Sequence, residues 1–142
     1  MEFETTAALL AQIIETTQEA PETAGTAMKT IIARFSEVKE LREQGKFKGE
    51  DEEGEEIDVN KIQGALKTVG ISMEDYFAGA EGLDEVLLRL AEKWDTLDFE
   101  TQRYIATMAA GSRQQSRFIA MMSNYERTME LVGEANNAAG AS

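Results

Sequence analysis

Apolar positions in this chain recur at helical spacing along most of its length. The clearest case begins at Leu83. Leu83, Val86, Leu87, Leu90, Ala91 and Trp94 follow one another at intervals of 3, 1, 3, 1 and 3, one stripe down a helix. Thr96 to Asp98 then turns the chain, and the Asp98 carboxylate is suited to accept from free amides of the next helix. That second helix carries Phe99, Arg103 and Ile105 to Met108 and stops at Gly111, a residue able to take the left-handed conformation that ends helices. Ser112 and Gln115 have the spacing of a capping box, which predicts the start of a third helix. Its apolar positions, Phe118, Met122, Tyr125, Met129 and Val132, step 4, 3, 4, 3 and predict a narrow seam, for a hairpin core or a partner helix.

The same spacing appears upstream. Phe3, Ala7, Leu10 and Ile14 predict the buried stripe of a helix over residues 3–18, widened by Leu9 and Ile13, with Thr5 or Thr6 capping it. Pro21 suits the first position of the next helix, where its missing amide leaves no bond unmade, and Glu22 complements the dipole. Met28, Ile31, Phe35 and Val38, with Ile32, form that helix's apolar face. Gly25 inside it costs about 1 kcal/mol against alanine, which predicts a close approach by the first helix. The short join predicts an antiparallel pair. The helix runs out near Leu41 to Gln44. Asp58 then caps a short helix through Val59, Ile62, Leu66 and Val69, ending at Gly70. Ile71, Met73, Tyr76 and Phe77 read as a short strand, with Glu56-Ile57 as its partner in a small ribbon. The expected fold is all-α in the main: one compact domain of about five to six helices with helical hairpins and one short β-ribbon.

Residues 45–58, GKFKGEDEEGEEID, break the pattern. Seven acids fall between Glu50 and Asp58 and three glycines between 45 and 54, which predicts an exposed, mobile acidic loop. A calcium loop does not fit. Setting Gly54 at the sixth position puts Gly49 at the first, Glu56 at the eighth and Asn60 at the twelfth, where an oxygen ligand, an aliphatic residue and a glutamate belong. The small, polar residues 133–142 predict a last helix that extends a turn or two and frays, an end that suggests a piece of a longer chain.

Charge and composition narrow the chemistry. Net charge is −13 at pH 7, which disfavours nucleic acid and anionic membranes as direct partners. Arg103, Arg113, Arg117 and Arg127 are the only basic cluster, and acids and glutamines among them favour a salt-bridged face. No cysteine and no histidine are present, which removes disulfides, thiolate chemistry, the usual neutral-pH base and the commonest metal ligand. No apolar run reaches the roughly 20 residues of a membrane span, and no signal peptide opens the chain. A carboxylate hydrolase is the surviving enzymatic idea, but only Glu74 and Asp75 adjoin aromatic residues, and they read as turn residues. Trp94 reads as a core anchor. No catalytic, cofactor-binding or metal-binding residue is assigned, and the expectation is a protein that is not an enzyme.

One stretch supports a more specific reading. KWDTL (Lys93 to Leu97), AGSRQQSRFIA (Ala110 to Ala120), NYERTMELV (Asn124 to Val132) and the closing N-x-A-G-A-S closely resemble a segment of the tail tape measure proteins of long-tailed phages and prophages, especially of Gram-positive hosts. APETAGTAMKTIIARFSEVK (Ala20 to Lys39) and VNKIQGALKTVGIS (Val59 to Ser72) are similar too, in the same order. Ala110 to Val132 is the specific part. ISMEDYFAGAEG departs from the family, whose members show a more polar, hairpin-like run there. The resemblance implies a structural virion protein: a module of the rod that sets tail length during assembly and leaves ahead of the genome at DNA delivery. It implies other copies of itself, tail tube and baseplate proteins as partners, the tail lumen and the host cytoplasm as locations, and no catalytic residues in this segment. Some family members carry a peptidoglycan hydrolase elsewhere. A fully helical chain of this length would span on the order of 200 Å at about 1.5 Å per residue, so it would be one module of such a ruler. The alternative from the residues alone is a helical adaptor that binds a partner helix without catalysis.

Overall fold

A computed structural model describes residues 1–140. The protein is mainly α-helical, with eight α-helices and one two-stranded antiparallel sheet among those residues. The order is α1 (Phe3–Thr17), α2 (Pro21–Glu43), β1 (Lys48–Glu50), β2 (Glu56–Asp58), α3 (Val59–Thr68), α4 (Glu74–Phe77), α5 (Leu83–Lys93), α6 (Phe99–Ala110), α7 (Gln115–Met122) and α8 (Tyr125–Gly140). Short 3-10 turns, Trp94–Thr96 and Ser112–Gln114, follow α5 and precede α7.

The long helix α2 is the spine. Pro21 occupies its first turn, as expected. Ile31, Phe35 and Val38 are fully buried along it, and α1, α3, α4, α6 and α7 pack around it. α5, packed on α7 and α8, contributes Val86, Leu87 and Leu90 to the core. Trp94 is buried as the anchor the sequence suggested, with its indole edge-on to the Phe118 ring at 5.9 Å between centroids. Such pairs add about 0.5–1.5 kcal/mol beyond area burial. Asp58 and Asp98 cap as expected: Lys61 N donates to Asp58 Oδ1 at 3.0 Å and Thr101 N to Asp98 Oδ1 at 2.8 Å.

Several expectations are corrected. α1 buries Leu9 and Ile13 together with Thr5, Ala8 and Gln12; of the expected stripe, Ala7, Leu10 and Ile14 are half-buried, Leu10 and Ile14 packing against the core from its edge, and Phe3 is 72% exposed. The physical reason is its partners: α1 packs chiefly on α7 and α8, and less on α2. Gly25 has no neighbour where a Cβ would sit, so no helix crosses there. The helix expected to run through 112–132 breaks at Ser123 and Asn124. The Asn124 side chain accepts from Arg127 N at 3.1 Å, starting α8 afresh and leaving Met129 exposed. Ile71–Phe77 is no strand: Glu74–Phe77 is one helical turn whose Tyr76 hydroxyl donates to Phe35 O at 2.9 Å. The ribbon exists, but β2 pairs with β1, in the register Lys48 to Asp58, Gly49 to Ile57 and Glu50 to Glu56. Residues 133–140 continue α8 as helix, and 141–142 lie outside the described residues.

Candidate functional site

The acidic run that breaks the helical pattern is the turn of this hairpin, and it is docked. Asp51 and Glu55 close the turn, with Asp51 N donating to Glu55 O at 2.9 Å and the Asp51 side chain accepting from the amides of Glu53 and Glu55, both at 2.9 Å. Local side-chain bonds of this kind are what aspartate offers in turns. The other Asp51 oxygen receives Arg34 Nη1 at 2.7 Å, and both side chains are only 2% exposed.

Arg34 is the hub. It projects from the middle of α2, and its Nε donates to Ala109 O at 3.2 Å. Nη2 donates to Met108 O at 2.9 Å and to Glu56 O at 3.0 Å. Met108 and Ala109 close α6, where carbonyls have no partner within the helix. One guanidinium therefore satisfies the end of α6, a strand carbonyl and a buried carboxylate, using the fixed fork of donors that lysine lacks.

Glu55, four residues after Asp51, performs the complementary task on the far side of the corner. Its carboxylate accepts from Ser112 N at 2.9 Å, from the Ser112 hydroxyl, and from Arg113 N at 3.2 Å. These are free amides at the start of the turn leading into α7, which favours a negative charge there. The predicted capping box does not form. Ser112 turns to Glu55, while Gln115 Nε2 donates to Thr107 Oγ1 at 2.7 Å and to Arg103 O at 3.2 Å. Between the two grips lies Gly111, with φ +83° and ψ 163°. A Cβ there would lie 2.7 Å from Glu55 Oε2 and 3.3 Å from Arg34 Nη1, so both the backbone and the space require glycine.

Electrostatics follow the contacts. Burial pushes the Asp51 carboxyl up, but the hydrogen bond from Arg34, the amides of Glu55 and Glu53 and the Arg34 charge outweigh it, and the net shift is downward. Glu55 behaves alike: burial and the neighbouring Asp51 charge raise it, and the Ser112 hydroxyl with the Arg113 and Ser112 amides prevail and lower it. Burial raises the Tyr76 phenol to about 12.

The four arginines of the basic cluster are dispersed. Arg117 grips Glu19 at 3.0 and 2.6 Å, Arg127 grips Glu15 at 3.1 and 2.9 Å, Arg113 lies 3.9 Å from Glu53, and Arg103 stands over the Phe99 ring at 5.7 Å. Glu74 is on the surface with Arg42 and Gln63. Asp51, Glu53 and Glu55 bring carboxylate oxygens within 4.8 Å of one another. Asp51 and Glu55 already have the donors described above, so this arrangement serves the hairpin's docking rather than calling for a cation. The position is a mechanical joint: it fixes the α6–α7 corner against α2, and it places the AGSRQQ run at its centre.

The chain matches no protein-family model, and no solved structure is significantly similar to it.

Proposed function

We propose that this chain is a non-catalytic structural module of a phage tail tape measure protein, acting through shape and assembly. The observation that carries the reading is the sequence likeness over Ala110 to Val132, together with the placing of its first residues at the Arg34–Glu55 joint. A segment read as architectural then coincides with the corner on which the helical packing turns. The acids and arginines of the molecule support the same reading, because those beside the corner are spent on one another. On this reading the partners are further copies of the protein and the tail tube and baseplate proteins, and the places are the tail lumen and, during assembly, the host cytoplasm.

The test is mass spectrometry of purified tails from the phage or prophage that encodes the chain. Peptides of residues 1–142 should copurify with tube protein and should vanish from tails that have ejected their DNA. Intact tails free of these peptides, while the chain is abundant in the lysate, would overturn the proposal.

A further inference from the structure

Outside the joint, a groove of about 510 Å³ lies between α1 and α2. Leu10, Met28, Ile32 and Ala33 give it apolar walls, and Thr6 and Ser36 add hydroxyls. Gly25 opens one end, where a side chain would meet nothing within 4 Å. From Gly25 to Ser36 the groove follows about three helical turns, roughly 17 Å. On α1 the row of Leu10 and Thr6 leads, one helical step on, to the exposed Phe3.

Two lining residues are charged, Glu52 and Lys29, and the α2 row that carries the lining continues into acids at both ends. Glu52, at the tip of the docked hairpin, lines the groove. Glu22 and Glu40 fall on the α2 row that carries Gly25, Lys29, Ile32, Ser36, at steps of 3 or 4 residues, and both are exposed. Lys29 is the one cation among the described lining residues.

We infer that this groove receives an amphipathic basic helix of a partner protein, its apolar face laid along Leu10 and Ile32 and its lysines or arginines facing Glu22, Glu40 and Glu52. Three turns of apolar trough suit the helix-in-groove mode, in which residues at i, i+3, i+4 and i+7 make the contact. The acid rim selects for positive charge and speeds encounter. A second copy of this chain is the poorer occupant, because two surfaces of net charge −13 repel. The inference stands apart from the tape measure reading and needs only the groove and its rim.

The test uses a 15-residue helical peptide with leucine at heptad-like positions and lysine elsewhere, titrated into the full chain by calorimetry, with its glutamate-for-lysine twin as comparison. The lysine peptide should bind, should shift the amide resonances of α1 and α2, and should weaken at 0.5 M salt; the twin should not bind. Gly25→Leu should fill the trough and lower affinity at least tenfold while melting no earlier than the parent, since its site is open. Glu52→Lys, on an exposed turn, should lower it severalfold. Equal binding of the twin, no effect of Gly25→Leu, or resonance shifts spread over the whole surface would overturn the inference. So would a concentration-dependent dimer that Gly25→Leu abolishes, which would assign the groove to a second copy.

Discussion

Arg34 and Arg127 make the same bond in opposite settings. Each places a guanidinium on a carboxylate from a distant part of the chain, at 2.7 Å to Asp51 and at 2.9 Å to Glu15. The first pair is 2% exposed on both sides, and the second is 33% and 45% exposed. Water decides what each is worth. Around Arg127 it competes for every contact and screens the charge, so α8 lies on α1 with little help from its ion pairs. Around Arg34 burial leaves little room for water to compete, and each guanidinium nitrogen has found a protein oxygen. The attraction there is offset by the cost of stripping both ions of solvent, so the pair's main contribution is specificity: a missing partner is severely penalised, and one packing of hairpin against corner is selected.

That contrast can be broken most sharply at Arg34. Arg34→Met leaves Asp51 buried without its counter-ion and two terminal carbonyls of α6 unpaired, and should cost about 3–5 kcal/mol in denaturant unfolding. A loss under 1 kcal/mol would show that the hairpin undocks easily and that the two arginines are equivalent. Next comes Gly111→Ala. Its backbone region is open essentially to glycine alone, and the added methyl meets Glu55, so a loss of about 1–3 kcal/mol is expected from conformation with more from the collision. Gly25→Ala is its counterpart in open helix and should stabilise by up to about 1 kcal/mol. If both glycines respond alike, the distinction between a packed corner and an empty groove fails.

Acid titration sharpens the comparison further. Asp51 and Glu55 have folded-state pKa values lowered from 3.8 and 4.5, so the unfolded chain binds their protons first. Their contribution is complete above those ordinary values and is lost as pH falls below about 4.5 toward the folded values. Stability from this joint should be level through neutrality, and Glu55→Gln should flatten the acid limb of a melting-temperature profile. An unchanged limb would remove Glu55 from the joint. The smallest effect belongs to Glu15→Gln, which should leave the melting temperature within measurement error at 0.15 M salt.

Much of the helical frame was legible in the sequence, because it is written locally. Pro21, Asp58 and Asp98 start helices by chemistry that acts within one turn, and the stripe from Leu83 to Trp94 names its own core face. The buried face of α1 is not legible, for the opposite reason. Two apolar rows run along that helix, and only the position of α7 and α8 determines that Leu9 and Ile13 are the inner row, with Thr5 and Gln12 carried inside beside them. The hairpin reads as loop in the sequence because its acids repel one another until Arg34 and the Ser112 and Arg113 amides receive them, and those partners lie 17, 57 and 58 positions away. The capping box at Ser112 had the right spacing and lost to a carboxylate from elsewhere. A glycine between a helix end and a serine, with an arginine spare in a buried helix row, was the one signal that could have pointed to the joint.

The reach of the Glu55 cap has a consequence for synthesis. Ser112 follows Glu55 by 57 residues. At a ribosomal pace of about 5–20 residues per second, the hairpin tip emerges about 3–11 s before the amides that receive it. For those seconds Arg34 has no helix end to grip, and the α2 face that later meets α6 stands open to whatever chain is nearest.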